Sequence, residues 1–208
     1  MRKNFQYFFV NLLMSIRRIS LIFLFIFLSF AKSQSDLEIQ NIEQMPLHTK
    51  ILWGDNGFFR QINFGPKTRK DELKLRVKML QTHQKLALLS LGMLTYQSSL
   101  GYKMAEGDYS KLSSHRRFST LTWSFYMTSA SLSYFAPPAQ KYEKRVSSMK
   151  IHRWLSYIHF AGMMAVPFLG KNIANSNDYD KALKLHKNVA TITLTSMSLS
   201  ALLTILPY

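Results

Sequence analysis

Four stretches of the sequence, 86–102, 118–140, 154–170 and 188–208, hold no Asp, Glu, Lys or Arg. A helix on the surface of a soluble protein carries charges on its outer face, so four such windows of 17 to 23 residues are expected to face lipid rather than water. A mean hydropathy of −0.06 conceals this because the charge is squeezed into the gaps between the windows. Those gaps contain Gly107 and Asp108, then Pro137-Pro138, then Asn172, Asn175, Asn177 and Asp178, and each is too short for a further span. The predicted fold class is all-α: a membrane-embedded four-helix bundle of antiparallel neighbours over 83–104, 115–136, 151–170 and 183–206, within a domain 83–208. Hydroxyls and amides are frequent inside the windows (Thr95, Gln97, Ser98 and Ser99 in the first; Ser196, Ser198 and Ser200 in the last), as where helices pack closely or line a polar cavity. Pro167 predicts a kink near the end of the third helix.

The preceding chain reads as three parts. Residues 1–33, with Arg2, Lys3, Arg17 and Arg18 before an apolar run and a small-residue site at Ala31-Lys32-Ser33, have the form of a signal peptide, or of a retained signal anchor. Residues 34–66 are polar and punctuated by Pro46, Gly54, Gly57, Gly65 and Pro66, which predicts an extramembrane cap with His48 in a solvent-exposed loop. In 67–82, Leu73, Val77 and Leu80 alternate at helical spacing with Lys67, Arg69, Lys70, Lys74, Arg76 and Lys78, a basic amphipathic approach helix expected to lie on the membrane surface. The basic residues at the two ends of the bundle, eleven and eight, differ too little to orient it. The signal peptide places the N-terminal segment of this multi-pass protein on the extracytoplasmic side.

The formal charge of +16 does not form one patch suited to nucleic acid. It flanks the windows, where each Lys or Arg gains about 1 kcal/mol at an anionic lipid surface. With no cysteine there is no disulfide, thiolate metal site or thiol nucleophile, so redox chemistry needs a bound cofactor. No Gly-rich phosphate loop or HExxH motif occurs.

Each window is opened by a histidine: His83, His115, His152 and His186, spaced by 32, 37 and 34 residues, about one span plus its loop. In an antiparallel bundle His83 and His152 lie near one membrane face, and His115 and His186 near the other. Two imidazoles facing each other across a bundle can hold a haem iron from both sides, which makes the four histidines candidate metal ligands and two stacked haems the candidate cofactor. His159, two turns or ~10 Å deeper than His152, is an alternative ligand, a hydrogen-bonding partner of a cofactor, a partner for a Ser or Thr on a neighbouring helix, or part of a proton relay. Arg116 and Arg153, beside two of the histidines, suit haem propionates and are equally explained as positive flanks. The rival reading is a non-catalytic membrane subunit or scaffold that anchors a partner without haem of its own.

The segment Lys150-Ile151-His152-Arg153-Trp154-Leu155, Leu185-His186 at the fourth helix and the histidines opening the first two resemble the core of the cytochrome b561 family over residues 83–206. The resemblance implies two b-type haems, one on His83 and His152 and one on His115 and His186, and one-electron transfer across or within the membrane between a donor and an acceptor, often from ascorbate to a ferric or semidehydroascorbate acceptor. The family pattern has six spans, of which the four windows here match the inner four. The chain is then a possible transmembrane electron-transfer oxidoreductase whose redox partners are unassigned.

Overall fold

A computed structural model describes residues 45–140 and 147–205. The chain divides into two units, Met1–Asn41 and Ile42–Tyr208, and every described residue belongs to the second. The expected signal segment lies outside the described residues, as does the start of the expected cap. The described part is all-helical. Two short helices, α1 (Leu47–Trp53) and α2 (Phe58–Gln61), precede four long ones: α3 (Arg69–Ala105), α4 (Leu112–Tyr134), α5 (Ser148–Ile173) and α6 (Tyr179–Ile205).

Local chemistry sets these limits. Thr68 caps α3 by accepting from the Asp71 amide at 3.2 Å, and Asp71 and Glu72 place negative charge in the first turn, where the helix dipole favours it. No Gly or Pro follows until Gly92, so the helix does not stop at His83. It runs on for 37 residues, about 55 Å. The expected approach helix and the first long helix are thus one rod, and His83 lies in its interior rather than at its start. Gly107, at φ +105°, turns the chain into α4. Phe135 and the prolines behind it end α4, Ser147 caps α5 through the Lys150 amide, and Asp178 accepts from the Lys181 amide at the start of α6. Pro167 sits inside α5, which continues past it to Ile173.

α3 packs along α4 and α5 along α6, forming two antiparallel hairpins, and the principal close approach between hairpins is α3 against α6. Counting from each histidine, the same face repeats in all four helices. Seven positions on lie Ser90, Thr122, His159 and Thr193; eleven on lie Leu94, Tyr126, Met163 and Met197; fourteen on lie Gln97, Ser129, Val166 and Ser200. All twelve are buried. Intervals of 7, 11 and 14 are close to whole numbers of 3.6-residue turns, so each set stays on one face. The apolar set forms the core cluster.

This interior is unusually polar, and its hydroxyls are held in different ways. Ser90 donates to the Leu86 carbonyl at 2.7 Å and Thr193 to Val189 at 2.7 Å, Ser129 and Ser200 meet a histidine of the partner helix, and Thr122 Oγ1 is buried without a hydrogen bond. On the outer surface Thr95, Ser124, Thr128 and Ser131 also bond four residues back, as does the half-buried Ser198. Such a bond satisfies the hydroxyl without a partner helix. The outside carries the large apolar side chains, including Trp154 (65% exposed), Phe168 (71%) and Ile192 (57%). Of the described helices, α6 alone is long and apolar enough to cross a membrane by length and composition.

The cap is tied to one end of the bundle. The buried Trp53 donates its indole N–H to the Phe135 carbonyl at 3.1 Å, Arg69 reaches the Pro138 and Ala139 carbonyls at 3.0 and 2.9 Å, and Arg76 that of Pro137 at 2.5 Å. His48 lies in α1, half-buried and stacked on Tyr134 with centroids 4.7 Å apart, instead of in an exposed loop. Burial, and then the charge of Arg153, push its imidazole below the ordinary value.

Glu72, 1% exposed, forms ion pairs with Arg60 and, at 2.8 Å, with Arg69. Burial alone would raise its carboxyl; the bonds and charges of the two arginines outweigh this and hold it below the glutamate range. A carboxylate with a lowered folded-state value contributes stability at neutral pH that is lost as pH falls through that value. Cap amides over residues 47–64 are therefore expected to lose hydrogen-exchange protection on acidification below the usual glutamate range. Glu72→Gln is expected to abolish that acid step and cost about 1–2 kcal/mol at neutral pH, since the arginines are partly solvated.

Candidate cofactor site

Three of the four histidines hydrogen-bond to a carbonyl of their hairpin partner, two in the first hairpin and one in the second. In the first, His83 Nδ1 lies 2.9 Å from the Ser129 carbonyl oxygen, and His115 Nδ1 lies 3.0 Å from the Gln97 carbonyl oxygen. In the second, His152 Nδ1 lies 3.0 Å from the Ser200 carbonyl oxygen, while His186 Nδ1 faces the Val166 carbonyl without completing the hydrogen bond. In every case the carbonyl is the one fourteen positions beyond the partner helix's histidine. The two histidine levels of the bundle are therefore about 21 Å apart.

A carbonyl only accepts, so in the three completed bonds Nδ1 carries the proton and Nε2 is left with its lone pair. Serine reinforces the arrangement at one level. The Ser129 hydroxyl donates to the His83 carbonyl at 2.9 Å and also sits 2.9 Å from the ring, and the Ser200 hydroxyl lies 2.7 Å from His152 Nδ1. At the other level glycine makes the room. A Cβ at Gly101 would meet His115 Cε1 at 3.1 Å, and one at Gly170 would meet His186 Cε1 at 3.1 Å. Both glycines stand eighteen positions after a histidine.

Between hairpins, His83 lies close enough to His152 for their charges to interact, and His115 to His186. Each of these two pairs takes one histidine from each hairpin. A crevice lined by Leu94, Gln97, Trp123, Met163, Val166 and Pro167 opens between α3, α4 and α5 near the second pair. Among the described residues, no three His, Asp or Glu side chains gather around one point. Two imidazoles with an unprotonated Nε2, one from each hairpin, are the donor chemistry that a haem iron would take from the chain.

The remaining candidates are placed as follows. His159 is buried, near enough to His83 and His152 for their charges to interact, and its Nδ1 lies 2.6 Å from the Tyr126 hydroxyl; its partner is a tyrosine rather than a Ser or Thr. Arg153 is half-buried beside His48. Arg116 is exposed next to His115. Lys187 instead lies over the Tyr102 ring at 5.5 Å, and Tyr102 bonds Thr191 at 3.2 Å. The carbonyl partners and glycine seats were not singled out from the sequence, although intervals of 14 and 18 from each histidine would have located them. No protein-family model, curated protein or solved structure matches this chain.

The glycines can be ranked by what a methyl would strike. At Gly162 a Cβ would overlap Thr193 Oγ1 at 1.9 Å, where α5 and α6 pack most tightly. Gly162→Ala is expected to cost about 1–3 kcal/mol in thermal unfolding of the detergent-solubilised protein, with Thr193→Ala restoring part of it. Gly101→Ala and Gly170→Ala, meeting only the edge of a ring, are expected to be near neutral because alanine's helix propensity offsets the crowding.

Proposed function

We propose that this chain is a multi-pass membrane protein, similar to the cytochrome b561 family, that carries electrons between two haems, one held by His83 and His152 and the other by His115 and His186. The observation that carries this reading is the shared setting of the four rings. Each turns Nδ1 to a backbone carbonyl of its hairpin partner and keeps Nε2 for another use. A metal-binding imidazole characteristically spends its second nitrogen in this way, because the bond fixes the tautomer and the ring direction and makes the ligand more basic. A structural histidine needs no such repetition in four helices, nor pairing across the gap between hairpins.

The membrane setting is supported by an inside-out solvation pattern. Buried positions hold Ser90, Gln97, Thr122, Ser129, Thr193 and Ser200, whereas Leu88, Phe125, Tyr157, Phe160, Phe168 and Leu202 face outward. In water that distribution is unfavourable; in lipid it is the expected one. Hydropathy sums understate the apolar character of α3, α4 and α5 because they score each hydroxyl as though it still sought water, while these donate to their own helices.

When bound, each haem supplies a one-electron couple that no side chain here provides. The chain's part is to hold the imidazoles, set their protonation and line the interior with Leu94, Tyr126, Met163 and Met197 so that water stays out. The donor and acceptor act at the two ends as redox partners, and the class is a transmembrane electron-transfer oxidoreductase.

The oxidised and dithionite-reduced visible spectra of the purified protein, expressed with haem supplied, test this. The expected result is two low-spin b-type haems per chain. His83→Ala or His152→Ala should remove one, and His115→Ala or His186→Ala the other. A folded protein without haem would overturn the reading in favour of a membrane scaffold.

A further inference from the structure

The fourfold repeat makes its own exceptions visible. Seven positions after the histidine, three helices carry a buried hydroxyl, Ser90, Thr122 and Thr193, and α5 carries His159. Eleven positions after it, three carry an aliphatic or thioether side chain, Leu94, Met163 and Met197, and α4 carries Tyr126. The two departures meet each other. The Tyr126 hydroxyl lies 2.6 Å from His159 Nδ1, with ring centroids 5.6 Å apart in an edge-on arrangement, and both residues are buried. Nothing in helix packing demands this pair, since the other hairpin-related positions are filled by small hydroxyls and apolar groups. Tyr126 is three positions from Ser129, which pins His83, and His159 is two helical turns from His152 and near enough to His83 and His152 for their charges to interact. The couple therefore belongs to one histidine level and not to the other.

Which group donates follows from acidity. A phenol is a far better proton donor than a neutral imidazole N–H, so the tyrosine hydroxyl donates to Nδ1 and the imidazole proton resides on Nε2. Such a ring has no lone pair to give to iron. It presents instead a fixed N–H dipole inside a medium of low polarity, where an oriented dipole acts strongly on nearby charge.

We propose that Tyr126 and His159 form a positioning couple for the haem held by His83 and His152, in which His159 is a hydrogen-bond donor and not an axial ligand, and that this couple sets the potential of that site apart from its repeat-related twin. The inference rests on the dihaem reading above. A donor dipole near a redox centre stabilises the form with the additional electron, so the couple raises the potential of the His83/His152 site relative to the His115/His186 site. Electrons then collect at the capped end of the bundle. The two sites are otherwise built alike, from the same interval of fourteen residues.

The test is a potentiometric titration of the haem-loaded protein, following the reduced visible bands, for wild type, His159→Ser, His159→Gln and Tyr126→Phe. His159→Ser places at this position the residue that α3 carries at Ser90. It is expected to keep two haems per chain and to lower one midpoint only, that of the haem missing from His83→Ala. A tenfold shift in the electron equilibrium between the sites reads as about 59 mV. Tyr126→Phe frees the ring to turn and should lower the same midpoint. His159→Gln retains an N–H donor and should recover most of the wild-type value, which a purely packing role would not predict. Unchanged midpoints in His159→Ser, or equal shifts of both haems, would overturn the proposal while leaving the dihaem reading intact. Loss of one haem from both His159→Ser and His159→Gln would overturn it by making His159 a ligand. Wild-type protein that folds without haem would remove both readings together.

Discussion

The bond from an imidazole Nδ1 to a main-chain carbonyl of the neighbouring helix is the constraint on which the bundle depends. A helix interior offers no spare carbonyl in principle, because each one already accepts from the amide four residues on. A second donor from a side chain uses the other lone pair, and it can reach it only if the two helices lie close together in one register. In α3–α4 the bond is made at both ends, which fixes sliding and rotation at once, and in α5–α6 it is completed at His152. This explains why small residues gather at these levels. Ser129 and Ser200 let the ring approach, and Gly101 and Gly170 leave space beside His115 and His186.

A hairpin locked internally need not be locked to its neighbour. Packing within α3–α4 and within α5–α6 is close, and the link between hairpins is lighter, through α3 and α6 and through Tyr126 with His159. The two imidazole pairs sit across this looser seam. A prosthetic group of haem size is more readily accepted between two preformed units than within either, since only the weaker contacts must give way. Preorganised rings also spare the group the cost of fixing its own ligands.

Much of this was legible in the sequence. The charge-free windows gave four long helices and their antiparallel order, and the histidine spacing gave the recurring position from which each helix's buried face is counted. The limits of α3 were misjudged at His83 because a change from basic to neutral composition was read as a change of element. Backbone geometry responds to Gly, Pro and capping residues, and none intervenes there. His48 was read as exposed because its segment is rich in turn residues, but the ring of Tyr134, some 86 positions away, covers it through a contact no local pattern encodes. Least legible were the carbonyl acceptors. A backbone oxygen leaves no trace in residue type, so Gln97 and Val166, unlike as side chains, occupy equivalent places only because of their distance from a histidine.

Symmetry of the interior has a consequence for direction. If the two histidine pairs hold haems as proposed, sites built from the same interval and facing the same kind of backbone group would have similar electron affinity, and such a carrier would have no preferred sense of flow. Any preference must come from departures from the repeat. Two lie at the same end: the tyrosine–histidine couple beside His83 and His152, and the cap that Trp53, Arg69 and Arg76 fasten over the end of α4. Among the described residues the opposite end has short turns, bridged by Tyr109 and Tyr179, whose hydroxyls lie 3.3 Å apart, and the described part of the cap covers only the first end. Shielding alters the cost of adding charge at a nearby centre, and so does a fixed dipole. In the proposed carrier the repeat would supply the path, and the departures from it the sense in which that path runs.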